Sequence, residues 1–233
     1  MNKSKTSIIL LHGALGTSRD LDPIITVLNE KGLETHTFNF SGHGHGAAEP
    51  SEFRIDFFAR DLEEYIKKHE LENPIVFGYS MGGYVALYHK ANYEDSPIKM
   101  IFTYGTKFNW SEQAVLKELP MLNPDHLSEK FPAFVEILKE KHGERWKQLL
   151  KSTAHMMQHL EKLDGLTKED MAEINIPVFL ILGAQDRMVT TEETNLAQSW
   201  LHYSQVKTLS HSKHELERSN LREMANIIID NLD

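Results

Sequence analysis

Short apolar runs alternate with amphipathic stretches along most of the chain. Ile8–Leu11, Glu34–Phe40, Ile75–Phe77, Met100–Tyr104, Val178–Leu182 and Gln205–Leu209 read as strands. Several are apolar without interruption, the mark of strands buried on both faces. Between them, Leu21, Ile24, Ile25 and Leu28 recur at helical spacing, as do Phe58, Leu62, Tyr65 and Ile66, and Leu221, Met224, Ala225 and Ile228. Such one-sided stripes predict helices that lay an apolar face on a core. Gly32 follows the first of them as a C-terminal stop. The alternation predicts an α/β fold, a mostly parallel sheet of about six strands with helices on both faces.

One stretch breaks the rhythm. From 107 to 175 no strand pattern occurs, and Pro120, Pro124 and Pro132 punctuate helical runs. Trp146, Leu149, Leu150, Thr153, Met157 and Leu160 recur as one stripe to be buried. The expected division is a core domain of residues 1–106 and 176–233, with 107–175 as a helical cap inserted over the sheet. Phe131, Phe134, Val135 and Leu138 are expected to pack within that cap.

Composition narrows the classes of function. The 233 residues fit one domain with a modest insertion. A formal charge of -9 argues against a broad nucleic-acid-binding face. The lack of cysteine excludes disulfides, thiolate metal sites and a cysteine nucleophile. Ile8–Leu11 is shorter than the roughly 7–15 apolar residues of a secretory core, and no stretch approaches the roughly 18 of a membrane span. A cytoplasmic, unprocessed chain is therefore expected, with its oligomeric state left open.

Gly78-Tyr79-Ser80-Met81-Gly82 matches G-x-S-x-G, the nucleophile elbow that projects a serine from a sharp strand-to-helix turn. The three fixed positions alone would arise by chance in roughly one such chain in ten or fifteen. Context lifts the match: an apolar strand precedes it and a helical run, Met81 to Ala91, follows. A serine hydroxyl needs a base, and this architecture demands the chain order Ser, acid, His. Asp186 follows the apolar strand Val178–Leu182 through Gly183-Ala184-Gln185, whereas the loop after Met100–Tyr104 offers only Gly105 and Thr106. Two histidines compete for the base. His211 falls almost on the end of the last strand, while Ser210 to Lys213 give His214 a loop long enough to fold back towards Ser80. His214 is favoured. Oxyanion donors are expected at the backbone N–H groups of Met81 and of Ala14, in the turn after the first strand. Leu15, Tyr104, Phe108 and Trp110 are candidates for the substrate pocket. His155 and His159 are four apart on a helix, but on the side opposite the apolar stripe, so they read as surface histidines rather than metal ligands.

With His12-Gly13-Ala14, Gly42-His43-Gly44, Gly78-Tyr79-Ser80-Met81-Gly82-Gly83, Gly183-Ala184-Gln185-Asp186 and Lys213-His214-Glu215-Leu216 in place, the chain resembles the α/β-hydrolase superfamily over nearly its whole length. The resemblance is to small capped esterases, and His-Glu-Leu looks like that of monoacylglycerol-lipase-type members. It implies a Ser80–His214–Asp186 triad, an acyl-enzyme, and hydrolysis of an ester, thioester or amide of a small to medium, partly apolar molecule. It implies no metal and no organic cofactor. Two departures stand out: seven residues precede Ile8, so the opening hairpin common in relatives is expected to be missing, and His45 stands where relatives often carry Arg or a small polar residue. Two other functions fit the same residues, namely C–C bond hydrolysis or lyase chemistry with the same triad, and a ligand receptor of negligible turnover.

Overall fold

The structure, a computed structural model, describes residues 6–45 and 53–232. Six strands, β1 (Ser7–Leu11), β2 (Glu34–Thr37), β3 (Ile75–Tyr79), β4 (Met100–Tyr104), β5 (Val178–Gly183) and β6 (Ser204–Leu209), form one sheet in the order β2-β1-β3-β4-β5-β6. Every neighbouring pair is parallel. The order reverses between β1 and β3, which opens a crevice at their C-terminal ends.

Both faces of the sheet are covered, which explains why the inner strands are apolar at almost every position. Ile8, Leu10, Phe77, Phe102 and Ile181 face α1 (Asp22–Glu30) and, much later in the chain, α10 (Leu221–Ile229) through Leu21, Ile24, Leu28, Met224 and Ile228. Ile9, Leu11, Val76, Ile101 and Leu180 face the other way, onto α2 (Ile55–Lys68) and α3 (Met81–Asn92) through Phe58, Leu62, Ile66 and Val85. Each fully buried Leu, Ile or Phe contributes about 1.5–3 kcal/mol to such a core.

The strand expected to reach Phe40 stops at Thr37. Beyond it Phe38 stacks on Tyr65 at 4.7 Å and Phe40 packs on Phe58 at 5.1 Å, so the aromatic residues serve α2 rather than the ladder. The Phe40 N–H is satisfied by His12 Nε2 at 3.1 Å instead of by a strand.

Between β4 and β5 the chain is helical: α4 (Glu112–Glu118), α5 (Pro124–Lys130), α6 (Pro132–His142), α7 (Trp146–His159) and α8 (Lys168–Ala172). Pro124 and Pro132 open α5 and α6, where a missing N–H leaves no bond unmade. The expected single stripe on α7 divides in two. Leu149, Met156 and Leu160 join the central core, while Trp146 and Leu150 join a separate cluster with Leu122, Leu127, Val135 and Leu138. Met157 packs half-buried against the second cluster as expected, and Met156 is buried as well, in the central core, because α7 lies between two apolar bodies. Phe131, also expected inside, is 44% exposed between α5 and α6. Remaining elements include α9 (Thr191–Gln198), whose Ala197 packs on the core under β5 and β6. Residues 1–5, on which the expectation about an opening hairpin falls, and Gly46 lie outside the described residues. Among the described residues no helix is long and apolar enough to cross a membrane.

Candidate active site

Five loops meet at the C-terminal edge of the sheet, those after β1, β3, β4, β5 and β6. The loop after β3 is the tightest. Ser80 has φ 51° and ψ −114°, a conformation that a residue with a side chain rarely adopts. The strain is held from three sides: Ser80 N–H donates to the Tyr104 carbonyl at 2.8 Å, and the Ser80 carbonyl accepts from Gly83 N–H at 3.1 Å and from Thr106 Oγ1 at 2.9 Å. Glycines allow the reversal. A Cβ on Gly82 would meet the Leu11 carbonyl oxygen at 2.5 Å, and one on Gly78 would collide with Gly82 and Gly83. Only bare backbone lets α3 approach β1 and β3 this closely.

Asp186 and His214 come together from the loops after β5 and β6. His214 Nδ1 lies 2.9 Å from Asp186 Oδ2, and the Asp186 side chain is fully buried. The second carboxylate oxygen accepts from Met188 N–H at 2.8 Å and Val189 N–H at 2.9 Å. Burial alone would raise the Asp186 pKa, but the bond to His214 and the two N–H groups outweigh it and leave the carboxyl below its ordinary range. An ionised acceptor makes Nδ1 the protonated nitrogen and leaves the Nε2 lone pair free. His211, the rival, is exposed on a residue with φ 56° and does not join the pair.

The imidazole–carboxylate pair rests on Gly105. A Cβ there would lie 3.1 Å from His214 Nδ1 and 3.3 Å from Asp186 Oδ2, and its φ of +61° also favours glycine. Gly105 directly follows Tyr104, the residue whose carbonyl holds Ser80 N–H. The pair and the strained serine are thus seated on adjacent residues. Among the described residues no hydrogen bond joins Ser80 Oγ to His214; the backbone of 104–105 relates them.

The loop after β1 comes against Ser80, since a Cβ on Gly13 would lie 3.2 Å from Ser80 Cβ. His12, fully buried beneath it, accepts from Phe40 N–H through Nε2 and so donates from Nδ1 to the Gly13 carbonyl at 2.8 Å. The Gly13 carbonyl and the Ala14 N–H belong to one planar trans peptide. Drawing the carbonyl down onto His12 turns the N–H away from it, to the opposite side of the peptide. Met81 N–H, at the start of α3, carries the partial positive charge of a helix N-terminus.

A family model for the alpha/beta hydrolase fold matches residues 6–137, more than half of the sequence. The chain belongs to the α/β-hydrolase fold family. Among relatives, this α/β hydrolase is 25% identical over 207 residues to the carboxylesterase of Bacillus subtilis (strain 168), covering 87% of this chain and 78% of that protein. It is 22% identical over 220 residues to the serine hydrolase BPHL of Homo sapiens, covering 90% of this chain and 73% of that one. In structure it is similar to NosK from Streptomyces actuosus, with a TM-score of 0.83, 22% identity and 97% of each chain covered.

Of the pocket candidates in this α/β hydrolase, Leu15, Phe108 and Trp110 are half-buried apolar residues packed against the cluster that holds Met81, Leu149, Met156 and Leu160. Tyr104 is not a pocket residue. Its side chain is fully buried on the opposite face of the sheet, where the hydroxyl donates to the Lys213 carbonyl and lies 2.5 Å from Ser219 Oγ. Burial pushes its pKa up to about 12, so the O–H stays a donor. Tyr104 thereby fixes the carbonyl next to His214, a role with no signature in sequence spacing. Thr106 and Gly105 were likewise not singled out, since their roles depend on which loops meet.

Burial makes four histidines resist protonation. His12 is lowered from 6.5 to about 4, and His43, His89 and His142 are lowered as well, in each case by desolvation first. The unfolded chain takes up these protons below about pH 6.5 while the folded one does not, so stability falls as pH falls from 6.5 towards 4. His12 alone makes the unfolding free energy about 2 kcal/mol smaller at pH 5 than at pH 7.5. Asp61, whose carboxyl burial raises, works in the opposite sense. Urea unfolding at the two pH values should show the drop; equal midpoints would mean that His12 is not shielded as described.

Proposed function

We propose that this α/β hydrolase is a serine hydrolase that cleaves a carboxylic ester, thioester or amide of a small to medium, partly apolar substrate through an acyl-enzyme on Ser80. The observation that carries the reading is the Asp186–His214 pair resting on Gly105, one residue from the carbonyl that anchors the strained Ser80. The relatives named carboxylesterase and serine hydrolase support it.

Ser80 Oγ attacks the carbonyl carbon while His214 Nε2 takes the hydroxyl proton. Asp186 holds the imidazole and offsets its positive charge. The N–H groups of Ala14 and Met81 receive the oxyanion; neither donates to another described residue. Collapse of the tetrahedral species breaks the ester bond, and the departing alcohol takes the proton from His214. A water molecule then loses a proton to His214 and attacks the acyl carbon, returning Ser80 and releasing the acid. Leu15, Phe108 and Trp110 line the acyl pocket on this reading, and residues 107–175 serve as its cap.

Labelling tests the proposal. The purified protein incubated with a fluorophosphonate, then digested and analysed by mass spectrometry, should carry the phosphonyl group on Ser80. It should also turn over p-nitrophenyl esters of short to medium acyl length. A protein left unlabelled at Ser80 by excess reagent would contradict the assignment.

A further inference from the structure

His142, the last residue of α6, is 2% exposed and touches two loops of the core at once. Its Nδ1 accepts from Gly44 N–H at 3.0 Å, and its Nε2 lies 3.0 Å from the Leu15 carbonyl. A peptide N–H can only donate and a carbonyl can only accept, so the ring is neutral with its proton on Nε2. The surrounding contacts converge on the same two loops. Lys141 pairs with Asp20 at 2.7 Å, and Asp20 accepts from Thr17 N–H. Arg145 donates to the Gly44 carbonyl at 2.8 Å, and His45 Nε2 bonds the Glu140 carbonyl at 2.6 Å.

The Leu15 carbonyl belongs to the turn that carries Ala14 N–H. That turn is short, closed by Gly16 N–H on the Gly13 carbonyl at 3.1 Å, and it holds Leu15 at φ 59°. His12 grips its first peptide from the sheet side. Its last carbonyl is gripped from the helical segment, by His142. The two anchors hold opposite ends of one short turn, and its first peptide, the one His12 grips, carries the Ala14 N–H.

We propose that His142 is a positioning residue for the oxyanion donor at Ala14, and that its bond to the Leu15 carbonyl makes that donor's alignment depend on the docked helical segment. This rests on the serine-hydrolase reading above. The segment between β4 and β5 then does more than cover the site: it completes the site when seated. Substrates or mutations that lift α6 loosen the oxyanion turn in the same movement.

Two substitutions separate the two bonds. His142→Gln keeps a donor near the position of Nε2 for Leu15 and loses the acceptor for Gly44. His142→Asn keeps an acceptor near Nδ1 for Gly44 and loses the donor to Leu15. Each leaves one buried backbone group unpaired, so their stability costs are alike. With p-nitrophenyl butyrate, His142→Asn should lower kcat by about tenfold or more, because a displaced oxyanion donor loses part of the roughly 100-fold or larger effect of deleting one. KM should stay within about twofold, and His142→Gln should restore kcat to within about threefold of wild type. Equal losses in both variants, or an unchanged kcat in His142→Asn, would overturn the positioning role while fluorophosphonate labelling of the wild type still upheld the nucleophile. Wild-type protein that is not labelled at Ser80 would overturn the reading beneath it, and this role with it.

Discussion

Replacing Ser80 with alanine is expected to lower ester turnover by about a million-fold, the scale seen when a hydrolase loses its nucleophile. On the proposed mechanism the hydroxyl is the atom that forms the covalent bond; the nearby Thr106 hydroxyl is buried and held on the Ser80 carbonyl, and the chain has no cysteine. On the same reading the donors proposed at Ala14 and Met81 and the proposed apolar pocket survive, so about 1,000-fold acceleration over water remains. The fold should persist, since the bonds that hold this turn use the backbone of Ser80 and not its hydroxyl. Matched kcat measurements and thermal melts check both halves. A variant with near wild-type turnover would place the chemistry elsewhere.

The second large effect concerns Asp186. Asp186→Asn should reduce kcat by about 10,000-fold with little change in fold. The geometry dictates which way the amide sits. Met188 and Val189 N–H both donate to one carboxylate oxygen, so the amide oxygen must face them and the NH2 must face His214. A donor facing Nδ1 drives the imidazole proton to Nε2. The nitrogen that should accept the Ser80 proton then already carries one. Tautomer-sensitive 15N shifts of His214 would show the proton moved, and kcat would show its consequence. Full activity in a folded Asp186→Asn protein would mean that the carboxylate does not set the tautomer.

Much of the architecture was legible because burial on two faces leaves a plain trace. Ile8–Leu11 and Val178–Leu182 are apolar at both parities, and β1 and β5 follow from that. Phe38 and Phe40 misled: aromatic residues suit strands and helix-facing loops equally, and their partners on α2 decide between the two. The same limit governed the site. Ser80, Asp186 and His214 carry motif or chain-order signals, and the last two are found in contact. Tyr104 and His142 carry none, because what matters is the backbone carbonyl each one meets, Lys213 or Leu15, from 109 and 127 residues away. Met156 and Met157 differ only in which side of α7 they occupy, and a helix wedged between two apolar bodies has no single inner side.

The helices α4 to α8 leave the sheet at the C-terminal end of β4 and must deliver the chain to the start of β5, its parallel neighbour. Parallel strands cannot be joined by a tight turn, and the return needs a dozen residues or more. The interval can therefore be exchanged for another of different shape but not excised, and Met171 and Ile174, buried against the sheet side, mark the stretch that any replacement would have to reproduce. New substrate preferences in such a scaffold would arise by trading this bridge, while the strands and the loops that bear the reactive groups stay as they are.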